Sequence, residues 1–294
     1  MNGKQIIVVA IVVVISGYLY FQPVKGLTKP KTAKQTSGVA AGQSRAVSKV
    51  TVADVSVPAK TAIGAALAAT ITDLEGQLKN ASTDADKLNL QKKLAKQWDD
   101  DNQPAPAAFY YLEAAQKENS FDEWMNAGNR FNDAYKSTQD TAVQPAYVAN
   151  AITALRNAVK LKPESLDAKT GLGIAYVNQT ASGITDPDGG SPMQGIMLLL
   201  EVVKKDPGNF KANLNLGLFA IQSKQYDKAV ARLKTAIANA PKEDMVEPYF
   251  FLAESYKQLG DKKEAIAAYQ KCRQMISDPV VDQKIDQYIK ELKD

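Results

Sequence analysis

The stretch Asn209 to Pro241, NFKANLNLGLFAIQSKQYDKAVARLKTAIANAP, decides the fold, because it indicates two amphipathic helices separated by a polar turn at 225–227. Small and apolar residues share one face of each helix: Leu216, Gly217 and Ala220 on the first, and Ala229, Leu233, Ala236 and Ile237 on the second. Pro241 ends the second helix because it has no N–H to donate. Two such faces bury little surface as a lone pair, so the unit is predicted to stack against similar units.

The same pattern recurs along the chain, at about residues 88–120, 121–165, 166–208, 210–243 and 246–279. In the unit 121–165, Trp124, Ala127, Gly128 and Phe131 come close to the W-x2-L-G-x2-Y signature of the tetratricopeptide repeat. The units 121–165 and 166–208 carry extra residues between their helices. This pattern resembles the tetratricopeptide repeat family. The resemblance implies an all-α fold, a right-handed superhelical solenoid of about five helix pairs.

Amphipathic segments flank the repeats on both sides. Residues 61–78 carry an apolar stripe that predicts one capping helix ahead of the first repeat, formed by Ile63, Leu67, Ile71, Leu74 and Leu78. Residues 280–293 carry a second stripe that predicts a C-terminal capping helix, formed by Val281, Ile285, Ile289 and Leu292. The repeat domain is therefore predicted to span residues 61–294.

The N-terminus indicates a membrane anchor. Residues 5–22 contain no charged side chain and form an apolar run about long enough to cross a bilayer as a helix. A cleaved signal peptide is the alternative, but no small-x-small cleavage site follows the run directly. We interpret residues 1–22 as an uncleaved, single transmembrane helix.

Residues 23–60 predict a basic, flexible linker, rich in Lys, Thr, Ser, Ala and Pro and without helical periodicity. This segment carries a net charge of about +6, whereas the chain as a whole carries +4. The positive charge thus lies in the linker and not on a folded face with aromatic platforms, so no nucleic-acid partner is expected.

Composition argues against an enzyme. The chain contains no histidine, which removes the usual general base near neutral pH and the commonest zinc ligand. Its single cysteine, Cys272, stands at a repeat position that takes small buried residues. The Asp186 to Gly190 segment starts like a calcium loop, but Met197 stands where such a loop needs glutamate. Asp99 to Asp101 is interpreted as a solvated connector. No metal, cofactor or small-molecule substrate is therefore expected.

Candidate partner-binding residues follow from the family resemblance, which implies ligands in a concave groove lined by the first helix of each repeat. The corresponding positions include Met125, Asn129, Thr170, Ile174, Lys211, Leu214, Leu218, Phe250 and Glu254. Leu214 and Leu218 stand where a clamp for a C-terminal carboxylate would need polar side chains. The apolar middle fits an apolar segment or helix of a partner. The alternative is that the superhelix closes on itself and these residues are core.

The leading functional hypothesis is a membrane-anchored scaffold or adaptor that binds a partner protein or peptide, similar to bacterial envelope proteins of this repeat family. The second is a co-chaperone or assembly factor that holds clients transiently. Topology rests on opposing signals: lysines after the apolar run favour a cytoplasmic repeat domain, namely Lys25, Lys29, Lys31 and Lys34. A short N-terminus with one lysine is typical of exported anchors. We interpret the repeat domain as periplasmic, with the cytoplasmic face as the alternative.

Overall fold

A computed structural model describes residues 47–276 and 278–293, and within these ranges the secondary structure is helical without strands. The helices are α1 (Val52–Ile63), α2 (Ala65–Asn80), α3 (Asp84–Asp100), α4 (Pro104–Glu118), α5 (Phe121–Ser137), α6 (Gln144–Leu161), α7 (Leu166–Ser182), α8 (Pro192–Lys205), α9 (Phe210–Gln222), α10 (Tyr226–Asn239), α11 (Val246–Leu259), α12 (Lys262–Gln274) and α13 (Pro279–Lys293). A short 3-10 turn, Lys242–Asp244, leads into α11.

The helices of the described ranges form five consecutive pairs, α3/α4 to α11/α12, and each pair packs against the next. The first helices of successive pairs, α5, α7, α9 and α11, also contact one another in that order. These helices therefore share one side of the array, and the second helices lie on the other. The predicted all-helical repeat solenoid is confirmed for the described part of the chain.

Small residues sit where helices cross most closely. A Cβ atom added to Gly217 would lie 2.9 Å from Cγ of Leu233 on the partner helix α10. The α7/α8 crossing is closer still, because a Cβ atom on Gly195 would lie 2.5 Å from the backbone oxygen of Gly173. Ala229 is fully buried at the corresponding position of α10. These positions decide how tightly each pair of helices can pack.

The N-terminal boundary differs from the prediction. Residues 52–60, predicted to be flexible linker, belong to α1, which starts at a capping box formed by Thr51 and Asp54. The single capping helix predicted for residues 61–78 is also wrong, because the helix is interrupted at Gly64, where φ is +84° and ψ is 164°. That conformation is accessible essentially to glycine alone. The apolar stripe is therefore divided between α1 and α2, and Leu67 is exposed.

The C-terminal capping helix is confirmed as α13. Its four predicted apolar residues are buried in one core with α9 to α12: Val281, Ile285, Ile289 and Leu292. Cys272 belongs to the same core and is fully buried. Burial raises the pKa of the Cys272 thiol to about 12, so the group is an unreactive small hydrophobe.

The predicted anchor at residues 1–22 and the linker up to residue 46 lie outside the described residues. Within the described ranges, none of the helices combines the length and apolar character needed to span a bilayer.

Candidate functional site

The nine predicted groove residues lie on the four first helices that share one side of the array. The distribution is Met125 and Asn129 on α5, Thr170 and Ile174 on α7, Lys211, Leu214 and Leu218 on α9, and Phe250 and Glu254 on α11. Because these helices follow one another in space, we call the side of the array that they form the inner groove.

Four of the nine side chains are buried in the packing between helices. Met125, Thr170, Leu214 and Phe250 are 9%, 2%, 6% and 2% exposed. The hydroxyl of Thr170 donates within its own helix to the carbonyl of Leu166, at 2.8 Å. For these four positions the core interpretation holds and the groove interpretation does not, because each side chain is covered by other parts of the chain.

Phe250 shows how completely these positions are used for packing. Its ring makes edge contacts with Phe251 and Tyr269, at centroid distances of 5.6 and 6.0 Å. Glu254, one turn further along α11, accepts a hydrogen bond from the Tyr269 hydroxyl. Burial raises the pKa of Tyr269 well above its usual range, and the Glu254 carboxylate adds to the effect. Phe250 and Glu254 thus stabilise the last repeat.

The part of the inner groove that a partner can reach is narrower than predicted. Asn129, Ile174 and Leu218 are half-buried, and Lys211 is exposed. Ile174 lies at the edge of the core between α8 and α9, and Leu218 lies at the edge of the core of α9 to α13. The accessible surface therefore combines two apolar side chains, Ile174 and Leu218, with an amide on α5 and a lysine at the start of α9.

Asn132, three residues after Asn129 on α5, adds a second amide to this side of the array. Its amide nitrogen donates to the backbone oxygen of Gly171 on α7, at 3.1 Å. Its amide oxygen is buried without a hydrogen-bond partner. Asn129 lies beside it, since a Cβ atom on Gly171 would be 3.2 Å from the Asn129 Oδ1. The contact between α5 and α7 therefore contains one buried hydrogen-bond acceptor without a partner, the amide oxygen of Asn132.

Charged side chains from distant parts of the chain meet at the rim of the inner groove. Lys136 at the end of α5 forms an ion pair with Glu247 in the first turn of α11. Burial and the negative charge of Glu243 raise the pKa of Asp244, whereas the positive charges of Lys211 and Lys136 lower it. We call Lys136, Lys211, Asp244 and Glu247 the rim cluster.

The Asp186 to Gly190 segment is an anchored loop. The Arg156 guanidinium pairs with the carboxylates of Asp186 and Asp188. Asp186 also accepts from the backbone N–H groups of Asp188 and Gly190, at 3.2 and 2.9 Å. Both carboxylates are thus engaged by the protein itself. No cluster of acidic, cysteine or histidine side chains suited to a metal ion occurs among the described residues.

The Asp99 to Asp101 segment is more than the solvated connector predicted from its sequence. Asp99 pairs with Nε of Arg130 on α5, at 2.6 Å, and accepts from the Tyr111 hydroxyl, at 3.1 Å. Burial raises the pKa of Asp99, and the charge of Arg130 opposes that effect. Asp99 therefore connects the first repeat to the second.

Comparisons with known proteins agree with this architecture. Two tetratricopeptide repeat family models match residues 190–247 and 246–276. A thermophilic tetratricopeptide repeat protein of Thermus thermophilus has a crystal structure that superimposes with a TM-score of 0.53, at 21% identity, over 68% of this chain and 97% of that chain. A tetratricopeptide repeat protein of Parabacteroides merdae gives a TM-score of 0.52 at 16% identity, over 77% of this chain and 82% of that chain.

A comparison with curated proteins yields no match. Residues 190–276 therefore match the tetratricopeptide repeat, and the array as a whole has the fold of a tetratricopeptide repeat solenoid. Such repeats indicate a scaffold for protein–protein interactions.

Proposed function

We propose that this chain is a membrane-anchored scaffold that binds an apolar segment of one partner protein along the inner groove. The observation that carries the proposal is the pair of half-buried apolar side chains, Ile174 and Leu218, on neighbouring first helices. Apolar groups that remain partly exposed on a concave surface gain free energy when a partner covers them, at about 25 cal/mol per Å².

The polar side chains of the inner groove indicate which chemical groups the bound segment of the partner should carry. Lys211 is exposed at the start of α9 and offers a positive charge to an acidic side chain. Asn129, half-buried on α5, offers a side-chain amide that can hydrogen-bond a polar group of the segment. An amphipathic helix with apolar residues in its middle and an acidic residue near one end fits this arrangement.

Photo-crosslinking tests this proposal directly. A photoreactive amino acid at Lys211, which is exposed, reports on the groove, and the same amino acid at the exposed Ala231 of α10 serves as the matched control. We expect one dominant protein adduct from position 211, absent from position 231 and lost on adding Leu218→Asp. Many unrelated adducts from position 211 would instead favour a co-chaperone that holds diverse clients.

The membrane part of the proposal rests on the uncharged run at residues 5–22 and the basic linker after it. We place the repeat domain on the extracytoplasmic side. Protease added to intact spheroplasts is then expected to digest the repeats, whereas protection until lysis would assign them to the cytoplasm.

A further inference from the structure

The ion pair between Lys136 and Glu247 joins two helices that are not neighbours in the array. The two residues are 111 positions apart and belong to the second and fifth helix pairs. α5 and α11 do not pack against each other as successive first helices do. The array therefore curves enough to bring the end of α5 and the start of α11 within reach of two side chains.

The environment of the pair makes it more than a surface contact. The Glu247 side chain is 17% exposed and the Lys136 side chain 40% exposed. The second carboxylate oxygen of Glu247 is buried without a hydrogen-bond partner. Burial raises the pKa of Asp244, and the negative charges of Glu243 and Glu247 raise it further. Without Lys136, negative charge would accumulate at this point of the rim.

We propose that the Lys136–Glu247 ion pair is a latch that keeps the array curved and narrows access to the inner groove. When the pair is intact, α5 and α11 are held together across the third and fourth repeats. When it breaks, the attraction between α5 and α11 is lost and the third and fourth pairs can relax to a more open array. This property belongs to the free protein, and it holds whether or not the inner groove binds the partner proposed above.

Distance measurements between two spin labels test the latch. Cysteines introduced at the exposed positions Thr141, beyond the end of α5, and Gln258, on α11, carry the labels in the full-length chain. The native Cys272 is buried and does not compete for the reagent. Distances are recorded by double electron–electron resonance for the parent chain, Lys136→Met, Glu247→Gln and the conservative Lys136→Arg.

We expect Lys136→Met and Glu247→Gln to shift the distance distribution to longer values by a similar amount, and Lys136→Arg to retain the parent distribution. High sodium chloride should widen the parent distribution in the same direction, because salt screens a partly exposed pair. Unchanged distributions in both neutral variants would overturn the latch. So would an equal shift in the control Lys205→Met, which breaks the exposed Lys205–Glu164 pair and leaves the Lys136–Glu247 pair in place.

Discussion

The third and fourth repeats share one architecture but are held together in different ways. In the fourth repeat, a Cβ atom on Gly217 would meet the side chain of Leu233, which can move. In the third repeat, a Cβ atom on Gly195 would meet the backbone of Gly173 and Val177, which cannot move without displacing α7. The regular repeat thus tolerates small adjustments, whereas the diverged one depends on a rigid backbone fit.

The loops that connect the two helices of each repeat also differ between the third and fourth repeats. The fourth repeat uses a short turn in which Lys224 adopts a left-handed conformation, with φ of +57°. The third repeat uses the longer loop of residues 183–191, held by the guanidinium of Arg156 on the preceding repeat. An insertion in this solenoid is therefore compatible with close packing when a charged side chain from a neighbour fixes the inserted loop.

The largest expected effect is that of Gly195→Ala in the third repeat. Its Cβ atom would lie 2.5 Å from a backbone oxygen, so α7 and α8 must separate. We expect a loss of about 3 kcal/mol in the free energy of unfolding, at the upper end for overpacking. Gly217→Ala is the matched control in the fourth repeat, with a smaller expected cost of about 1 kcal/mol because its Cβ atom meets side chains and not backbone. Urea denaturation of both variants measures the difference, and equal costs would contradict the contrast between the two crossings.

Ala229→Leu tests how much additional side-chain volume the fourth repeat can accommodate where α10 packs against its neighbours. Ala229 is fully buried where α10 crosses its neighbours, and a leucine there adds three carbon atoms. We expect a loss of about 2 kcal/mol. Ala231→Leu on the exposed face of the same helix is the control and should leave the urea midpoint almost unchanged. A neutral Ala229→Leu would show that the register of α10 is not the one described.

Arg156→Met tests the anchored loop. The variant keeps the aliphatic stem of the side chain but leaves the Asp186 carboxylate, whose side chain is 3% exposed, without its cation. The backbone N–H groups of Asp188 and Gly190 remain, so we expect a moderate loss of about 1–2 kcal/mol. Limited proteolysis should show faster cleavage within residues 183–191. A cleavage rate equal to that of the parent would mean that the loop is held by other contacts.

The smallest expected effect is a gain. Gly76 lies within α2, and a Cβ atom there would meet nothing within 4 Å. Gly76→Ala should therefore stabilise the protein by about 0.5–1 kcal/mol through helix propensity alone. Thermal denaturation measures the shift, and a lower midpoint would show that α2 needs glycine for a reason other than space.

The sequence predicts the repeats well because their packing is local. Helical spacing assigns Trp98, Leu155 and Tyr269 each to a repeat, and all three are fully buried. The candidate site is predicted less well. Helical periodicity shows that Leu214 and Leu218 share a face, but it does not show that the first is buried and the second half-exposed.

Long-range electrostatics could not be predicted from the sequence at all. Arg156 and the two aspartates that it binds are 30 and 32 residues apart, and the latch residues 111 residues apart. Only the three-dimensional path of the array brings these charges together. Nothing in the local sequence around Lys136 or Glu247 distinguishes either residue from other solvated charges on helix surfaces.

The break at Gly64 has a consequence for where the folded unit begins. α1 and α2 both contact the first repeat. Val55 of α1 belongs to a core with Phe109, whereas Ala59 of α1 and Ile71 of α2 belong to a second core with Trp98. A fragment that starts at residue 61 would lack most of α1, and the apolar surface that α1 covers on α4 would be exposed. A fragment that starts near residue 47 retains both α1 and α2, and we expect it to be more soluble and more stable than the shorter fragment.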